Sequence, residues 1–253
     1  MSEYVPRTFE DTNDWFKRIN REFQFRESVD LICKMVPEVV EVASGHTFTI
    51  TCVVGDKLSI PVGAHITFEV RETWDTHLGN CFRRGIRTVG NRDQVRACYG
   101  AWTDVVCSNA QVKLAHVASY GRIMDLVDIV VVEGELQPGD EVRIILGPDD
   151  GCLLQAQKFA QVAIFPVAVD LNGDGEYRQA AVYPQVKVIG AFPDRFRIFA
   201  PATVASNAEF EVRVLPVDIY SFNPATGYRG TALLASTPDL ELARQVDLDT
   251  QTQ

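Results

Sequence analysis

The sequence lacks the features that mark membrane and secreted proteins. No apolar run reaches the roughly eighteen residues that a transmembrane helix needs. The start, Met1-Ser2-Glu3-Tyr4-Val5-Pro6-Arg7, leads into acidic and polar residues, without the basic segment and apolar stretch of a secretory signal. We therefore expect a cytoplasmic protein that does not bind membranes.

The six cysteines show no C-x-x-C spacing. In a reducing compartment, scattered cysteines are expected to be small buried apolar residues rather than a disulfide framework. Folding could bring His77, Cys81, Cys98 and Cys107 together around zinc. Their spacings match no standard zinc pattern, so apolar packing remains the preferred interpretation.

Positive charge is scarce, since the formal net charge is −10 and the isoelectric point is about 4.9. Such a surface repels phosphate backbones, so we do not expect nucleic-acid binding. One basic stretch, residues 83–96, stands out. Its five arginines could hold a phosphate, sulfate or carboxylate, although a solvated charged loop is the alternative: Arg83, Arg84, Arg87, Arg92 and Arg96.

Catalytic signatures are also missing. The chain has four histidines and contains no H-E-x-x-H, G-x-S-x-G, P-loop or G-x-G-x-x-G motif. We therefore assign no catalytic residue and expect no activity of the chain by itself. A stand-alone hydrolase with an unfamiliar site is the remaining enzymatic alternative.

The chain does contain many short alternating runs rich in β-branched residues, such as 46–54 and 64–70, separated by Gly, Pro and Asp turns. They predict an all-β fold, with an antiparallel β-sandwich over 39–193 and a partial immunoglobulin-like domain over 194–244. Residues 1–38 are expected to form an extension with a short helix over 12–23. Residues 245–253 are expected to be a flexible tail.

A possible cation loop lies at 170–176. Asp170, Asn172 and Asp174 place oxygens at positions one, three and five of a calcium loop, and Gly175 occupies position six. Position twelve is Ala181 instead of the closing Glu. Asn-Gly and Asp-Gly are equally the residues of hairpin turns, so a bare hairpin is favoured over bound Ca²⁺.

Several segments occur in an order that carries a family resemblance: 42–51, 54–56, 60–66 with Trp74, 136–147, 157–159, 169–175, 199–202 and 222–231. In this order they resemble the proteins catalogued as domain of unknown function 3604. The similarity covers roughly residues 40–236 and depends on motif order rather than on one motif. Segment 222–231 also resembles a strand turn of bacterial immunoglobulin-like domains.

The resemblance implies that, in full-length relatives, this β region precedes a metal-dependent domain of the phosphoesterase-like (PHP-like) kind. This chain contains none of the histidine-rich metal motifs of that domain. The resemblance therefore implies an accessory module and not an activity.

The number of strands at the end of the chain also bears on function. An immunoglobulin-like sandwich needs about seven strands, and 194–253 can supply only about three or four. A half sandwich would expose its apolar face and strand edges. We hypothesise that a partner chain or a second copy supplies the rest. Packing of 194–244 on the first sandwich and a truncated reading frame are the alternatives.

These observations predict a non-catalytic accessory subunit of a cytoplasmic assembly, which binds a partner chain such as a metal-dependent hydrolase-like subunit. The alternative function is a stand-alone module that binds a small ligand or anion through the arginines of 83–96.

Overall fold

The computed structural model describes residues 28–71, 74, 103–120, 124–147, 153–206, 208–220, 222–233 and 245–249. Within these ranges every regular element is a β-strand, which confirms the predicted all-β fold. The helix predicted over 12–23 lies outside the described residues. The described part contains no helix long and apolar enough to cross a membrane.

Most strands of the described residues are short. In chain order they are β1 (Val29–Val36), β2 (Val39–Glu41), β3 (Gly45–His46), β4 (Phe48–Val54), β5 (His65–Arg71), β6 (Thr103–Cys107), β7 (Lys113–Tyr120), β8 (Met124–Glu133), β9 (Glu141–Leu146), β10 (Leu154–Gln155), β11 (Gln161–Ile164), β12 (Val167–Asp170), β13 (Arg178–Val182), β14 (Gln185–Ile189), β15 (Arg195–Phe199), β16 (Arg213–Val217), β17 (Arg229–Leu233) and β18 (Gln245–Asp249).

The chain divides into two compact units. The first combines Met1–Glu38, Ser44–Ala156 and Val162–Val186, and the second combines Val39–Ala43, Gln157–Gln161 and Lys187–Gln253. This division differs from the sequence-based boundary at 193/194, because two short segments from earlier in the chain join the second unit.

The first unit contains a nine-stranded sheet in the order β6-β9-β4-β1-β13-β12-β5-β8-β7. All of its pairings are antiparallel except that of β1 with β13. The sheet is therefore mixed, whereas the sequence predicted an antiparallel one. The parallel pair arises because β1, from the part assigned to an extension, lies between β4 and β13.

The prediction that residues 1–38 form an extension is wrong for Val29–Val36, because these residues form strand β1 of the sheet. Its side chains alternate between buried and more exposed positions, with Leu31, Cys33 and Met35 directed inward. This period of two is the normal signal of a half-buried strand, and it was present in the sequence.

Aromatic side chains form the centre of the first unit. Phe48, Phe68, Trp74 and Phe165 are all at most 2% exposed. The ring of Trp74 meets Phe48 and Phe165 edge-on, at centroid distances of 5.5 and 5.0 Å. Phe165 stacks on Phe68 at 5.7 Å. The cluster joins residues of β4 and β5 across the core, as in a sandwich.

The second unit is built from short pairs of strands. β15 pairs with β16 and β17 with β18, both antiparallel. The residues of β14 that belong to this unit, Lys187–Ile189, run parallel to β2. The prediction of a flexible tail over 245–253 is wrong for Gln245–Asp249, because these residues pair along their whole length with β17.

Candidate functional site

The most exposed apolar strand of the described residues is β15. All five of its residues are exposed, and Phe196, Ile198 and Phe199 expose 45%, 62% and 49% of their surface. We call these three residues the apolar edge. Phe192, just before the strand, is 76% exposed. Isolated exposed apolar residues are common, but a strand with exposed apolar side chains at three of its five positions is not.

The pairing of β15 shows how the apolar edge is presented. Phe196 lies opposite Pro216, and Ile198 lies opposite Val214, so both side chains are on one face of the pair. The ring of Phe196 meets that of Tyr228 edge-on at 5.6 Å, which fixes its position. Within the described ranges, β16 is the sole strand paired with β15. No strand of the described ranges pairs with the other edge of β15.

A buried polar cluster holds the second unit together. The side-chain amide of Asn223, 2% exposed, donates to the Asp218 carboxylate at 2.7 Å and to the Lys158 carbonyl oxygen at 2.9 Å. Its own oxygen accepts from the Ala160 N–H at 2.6 Å. Asp218 is fully buried and also accepts from the Tyr220 N–H at 3.0 Å. The segments 158–160 and 218–223 are thus tied together by satisfied hydrogen bonds.

Close to the Asn223 cluster, the segment 222–231 also makes close contacts with Gly190. The Thr226 hydroxyl donates to the Gly190 carbonyl oxygen at 2.7 Å. A Cβ on Gly190 would collide with the Pro224 carbonyl oxygen, so only glycine allows this approach. The segment 222–231, one of those that carry the family resemblance, therefore has a structural role in this chain.

Asn223→Ala is expected to lower the free energy of unfolding by about 3 kcal/mol, because the Asp218 carboxylate, a carbonyl and an N–H lose their buried partner. Urea denaturation measures the change. Glu209→Ala, which removes an exposed polar side chain of the same unit, is the control and should have no measurable effect. Equal stability of the two variants would contradict the role assigned to the cluster.

The predicted cation loop connects β12 to β13 as a hairpin. The fully buried Asp170 carboxylate accepts four backbone N–H groups at its two oxygens. One oxygen accepts from Asn172, Gly173 and Asp174 at 3.2, 2.8 and 3.3 Å, and the other accepts from Gly175 at 2.8 Å. These hydrogen bonds organise the turn around the Asp170 carboxylate.

The turn contains a carboxyl group with a lowered pKa and a glycine with a positive φ. The N–H of Glu176 donates to Asp174 at 2.8 Å and lowers the pKa of that carboxyl. Gly173 has a φ of +68°, and a Cβ there would crowd the Gly63 carbonyl oxygen. Calcium at Asp170, Asn172 and Asp174 stays a prediction.

Asp170→Ala is expected to lower the free energy of unfolding by about 3 kcal/mol, because several charge-assisted hydrogen bonds to a buried carboxylate are lost. Chemical denaturation gives the value. Asp174→Ala is the matched control, and its exposed carboxylate predicts a much smaller loss. If both substitutions cost the same, Asp170 does not organise the turn.

The other predicted sites are only partly visible. Arg83, Arg84, Arg87, Arg92 and Arg96 lie outside the described residues, as do His77, Cys81 and Cys98 of the zinc alternative. The anion site therefore stays a prediction. In the ranges that the structure describes, no three His, Cys, Asp or Glu side chains are grouped closely enough to hold a metal ion.

Sequence reasoning missed one largely buried pair in the first unit. Nδ1 of His65 lies 3.0 and 3.1 Å from the two carboxylate oxygens of Asp128, on the neighbouring strand. The carboxylate orients the imidazole, as in many hydrolytic sites. The nearby Thr67 hydroxyl donates instead to the Ala168 carbonyl oxygen at 3.3 Å. Thr67 is therefore not prepared as a nucleophile by a hydrogen bond to this pair.

Comparisons with known proteins add little to this geometry. No family model and no curated protein matches the chain, so the resemblance to domain of unknown function 3604 stays a prediction that they do not support. Solved structures similar to it include FdeC, described as a broadly conserved Escherichia coli adhesin eliciting protection against urinary tract infections. The sequences are 10% identical and the TM-score is 0.23, with 81% of this chain and 47% of that chain covered. The chain thus spans about half the length of that adhesin chain, and so low a TM-score does not establish a common fold.

Proposed function

We propose that this chain is a non-catalytic β-sandwich subunit that binds a partner chain through β15 of its second unit. The observation that carries the proposal is the exposure of all five residues of β15, together with its open edge. An exposed apolar edge strand is a ready template for another strand. Proteins usually protect such strands, so one left open indicates a binding surface.

Strand addition explains how β15 would recognise its partner. A strand of the partner pairs with the open backbone edge of β15, and hydrogen bonds along the edge supply affinity. Phe196 and Ile198 then pack against apolar side chains that alternate along the partner strand. Such a surface selects an extended apolar segment rather than a small solute.

The charge of the chain favours a different chain over a second copy as the partner. Two copies with a formal net charge of −10 repel each other at long range. A separately encoded chain that is neutral or basic would not be repelled in this way. The hydrolase-like subunit implied by the family resemblance is our candidate, and a cytoplasmic assembly is the proposed setting.

Co-expression with the product of the neighbouring gene tests the proposal. The expected result is a stoichiometric complex by light scattering, and aggregation of the 28.2 kDa chain when it is produced alone. A stable monomer that forms no complex with that product would contradict the subunit function. It would favour the alternative of an independent ligand-binding module, whose melting temperature should then rise with an added anion.

A further inference from the structure

Two buried cysteines of the first unit face each other across the central strands. Cys33 of β1 lies directly opposite Cys52 of β4 in the antiparallel register. Both are free thiols in the structure, and their Sγ atoms are 3.0 Å apart. Cys33 is 1% exposed and Cys52 is fully buried. Both are among the inward-facing residues of their strands, where a link would lie inside the core.

The register places the two cysteines at a position suited to a covalent link. The Gly55 N–H donates to the Asp30 carbonyl oxygen at 2.7 Å, which marks these two opposite residues as a hydrogen-bonded pair. Pair types alternate along antiparallel strands, so Cys33 and Cys52, three pairs further on, form a non-hydrogen-bonded pair. The Cα atoms of such pairs are about 4.5 Å apart, within the range that a disulfide bridges.

Burial also determines when the link can form. The hydrogen bond with Cys52 and burial raise the pKa of the Cys33 thiol, so the folded protein holds little of the reactive thiolate. An oxidant has no direct access to either sulfur atom. Oxidation is therefore expected while β1 and β4 come together during folding, and to be slow once the sheet is complete.

We propose that Cys33 and Cys52 form a cross-strand disulfide when the chain folds in the presence of a low-molecular-weight disulfide such as oxidised glutathione. One cysteine thiolate attacks the glutathione disulfide and releases one glutathione thiolate. The second cysteine then attacks the mixed disulfide and releases the other. Two protein thiols lose two electrons to one glutathione disulfide, and their two protons pass to the two glutathione thiolates.

The link would give the first unit a redox-dependent staple. It joins the N-terminal strand β1 to β4 and closes the loop between them, which restricts the unfolded chain. The sequence predicts that these cysteines are simple apolar residues, and that remains their state under reducing conditions. Under oxidising conditions, the same pair would hold β1 in the sheet.

Refolding with and without oxidant tests the proposal. The chain is unfolded in denaturant with reductant, then refolded either in reductant or in a glutathione redox buffer. Proteolysis and mass spectrometry of the oxidised sample should yield a peptide that joins Cys33 to Cys52. The oxidised protein should melt about 5–10 °C above the reduced protein.

Variants separate this pair from the other cysteines. Cys33→Ala should abolish both the linked peptide and the redox dependence of the melting temperature. Cys107→Ala, which removes a partly exposed cysteine of β6, should retain both. A chain that combines four substitutions keeps only the pair in question: Cys81→Ser, Cys98→Ser, Cys107→Ser and Cys152→Ser. If that chain does not fold, the peptide map of the wild-type protein still decides.

Two results would overturn the proposal. Refolding in the redox buffer without any peptide that joins Cys33 to Cys52 would show that the link does not form. A linked protein whose melting temperature equals or falls below that of the reduced protein would show that the disulfide strains the core and is no staple.

Discussion

Phe165→Ala is expected to lower the free energy of unfolding by about 4 kcal/mol. Phe165 is 1% exposed and contacts both Phe68 and Trp74, so its removal leaves a cavity between aromatic rings that cannot easily close. Urea denaturation followed by tryptophan fluorescence measures the change, since Trp74 packs directly against the substituted ring.

Phe192→Ala is the matched control for this substitution. It removes the same side chain from a position that is 76% exposed, so we expect a change within about 0.5 kcal/mol. A loss below about 1 kcal/mol in Phe165→Ala would mean that the aromatic cluster is not the centre of the first unit.

Ile198→Asp is expected to weaken binding of the partner chain about 100-fold. The substitution places a carboxylate in the middle of the apolar edge, where the proposed complex would bury it without a partner charge. Because Ile198 is 62% exposed in the free chain, folding should be almost unaffected. Titration of the complex by calorimetry gives the affinity, and a thermal melt confirms the fold.

Val132→Asp controls for the added charge on an exposed strand residue. Val132 lies on β8 of the first unit and is 42% exposed, so this variant should bind the partner as the wild-type chain does. Equal weakening by both substitutions would indicate a general charge effect. Unchanged binding by Ile198→Asp would exclude the apolar edge as the contact.

Much of the fold follows from local patterns. Alternation and turn residues placed β4 and β5 to within a few residues. They did not predict which strands pair. The parallel pair of β1 and β13 depends on the whole sheet, because a local pattern contains no information about the neighbour of a strand.

The remaining errors also have physical causes. The polar composition of 245–253 predicted a flexible tail, but pairing with β17 orders Gln245–Asp249 through backbone hydrogen bonds that do not depend on side-chain type. The hydrogen bonds of the 170–176 turn could not be predicted from the sequence, because an Asp at this position can serve a turn or a cation. The structure shows the four N–H groups that donate to Asp170, and calcium at this loop stays a prediction.

The place of the candidate site could not be predicted from the sequence. Too few strands for a complete sandwich predicted an open apolar edge near the end of the chain. β15 provides this edge because, within the described ranges, β16 is the sole strand paired with it. Strand pairing is a property of the tertiary structure. The hydrogen bonds of Asn223 to Lys158 and Ala160 could not be predicted either, because these two residues are far from Asn223 in the sequence.

Hydrogen exchange of β15, in the free chain and in the complex, tests the central claim most directly. If a partner strand pairs with Arg195–Phe199, the amides of that strand that face the open edge should exchange at least about tenfold more slowly in the complex. The exposed strands of the first unit should exchange at unchanged rates. Protection that arises elsewhere, with β15 exchanging as fast as in the free chain, would contradict the account.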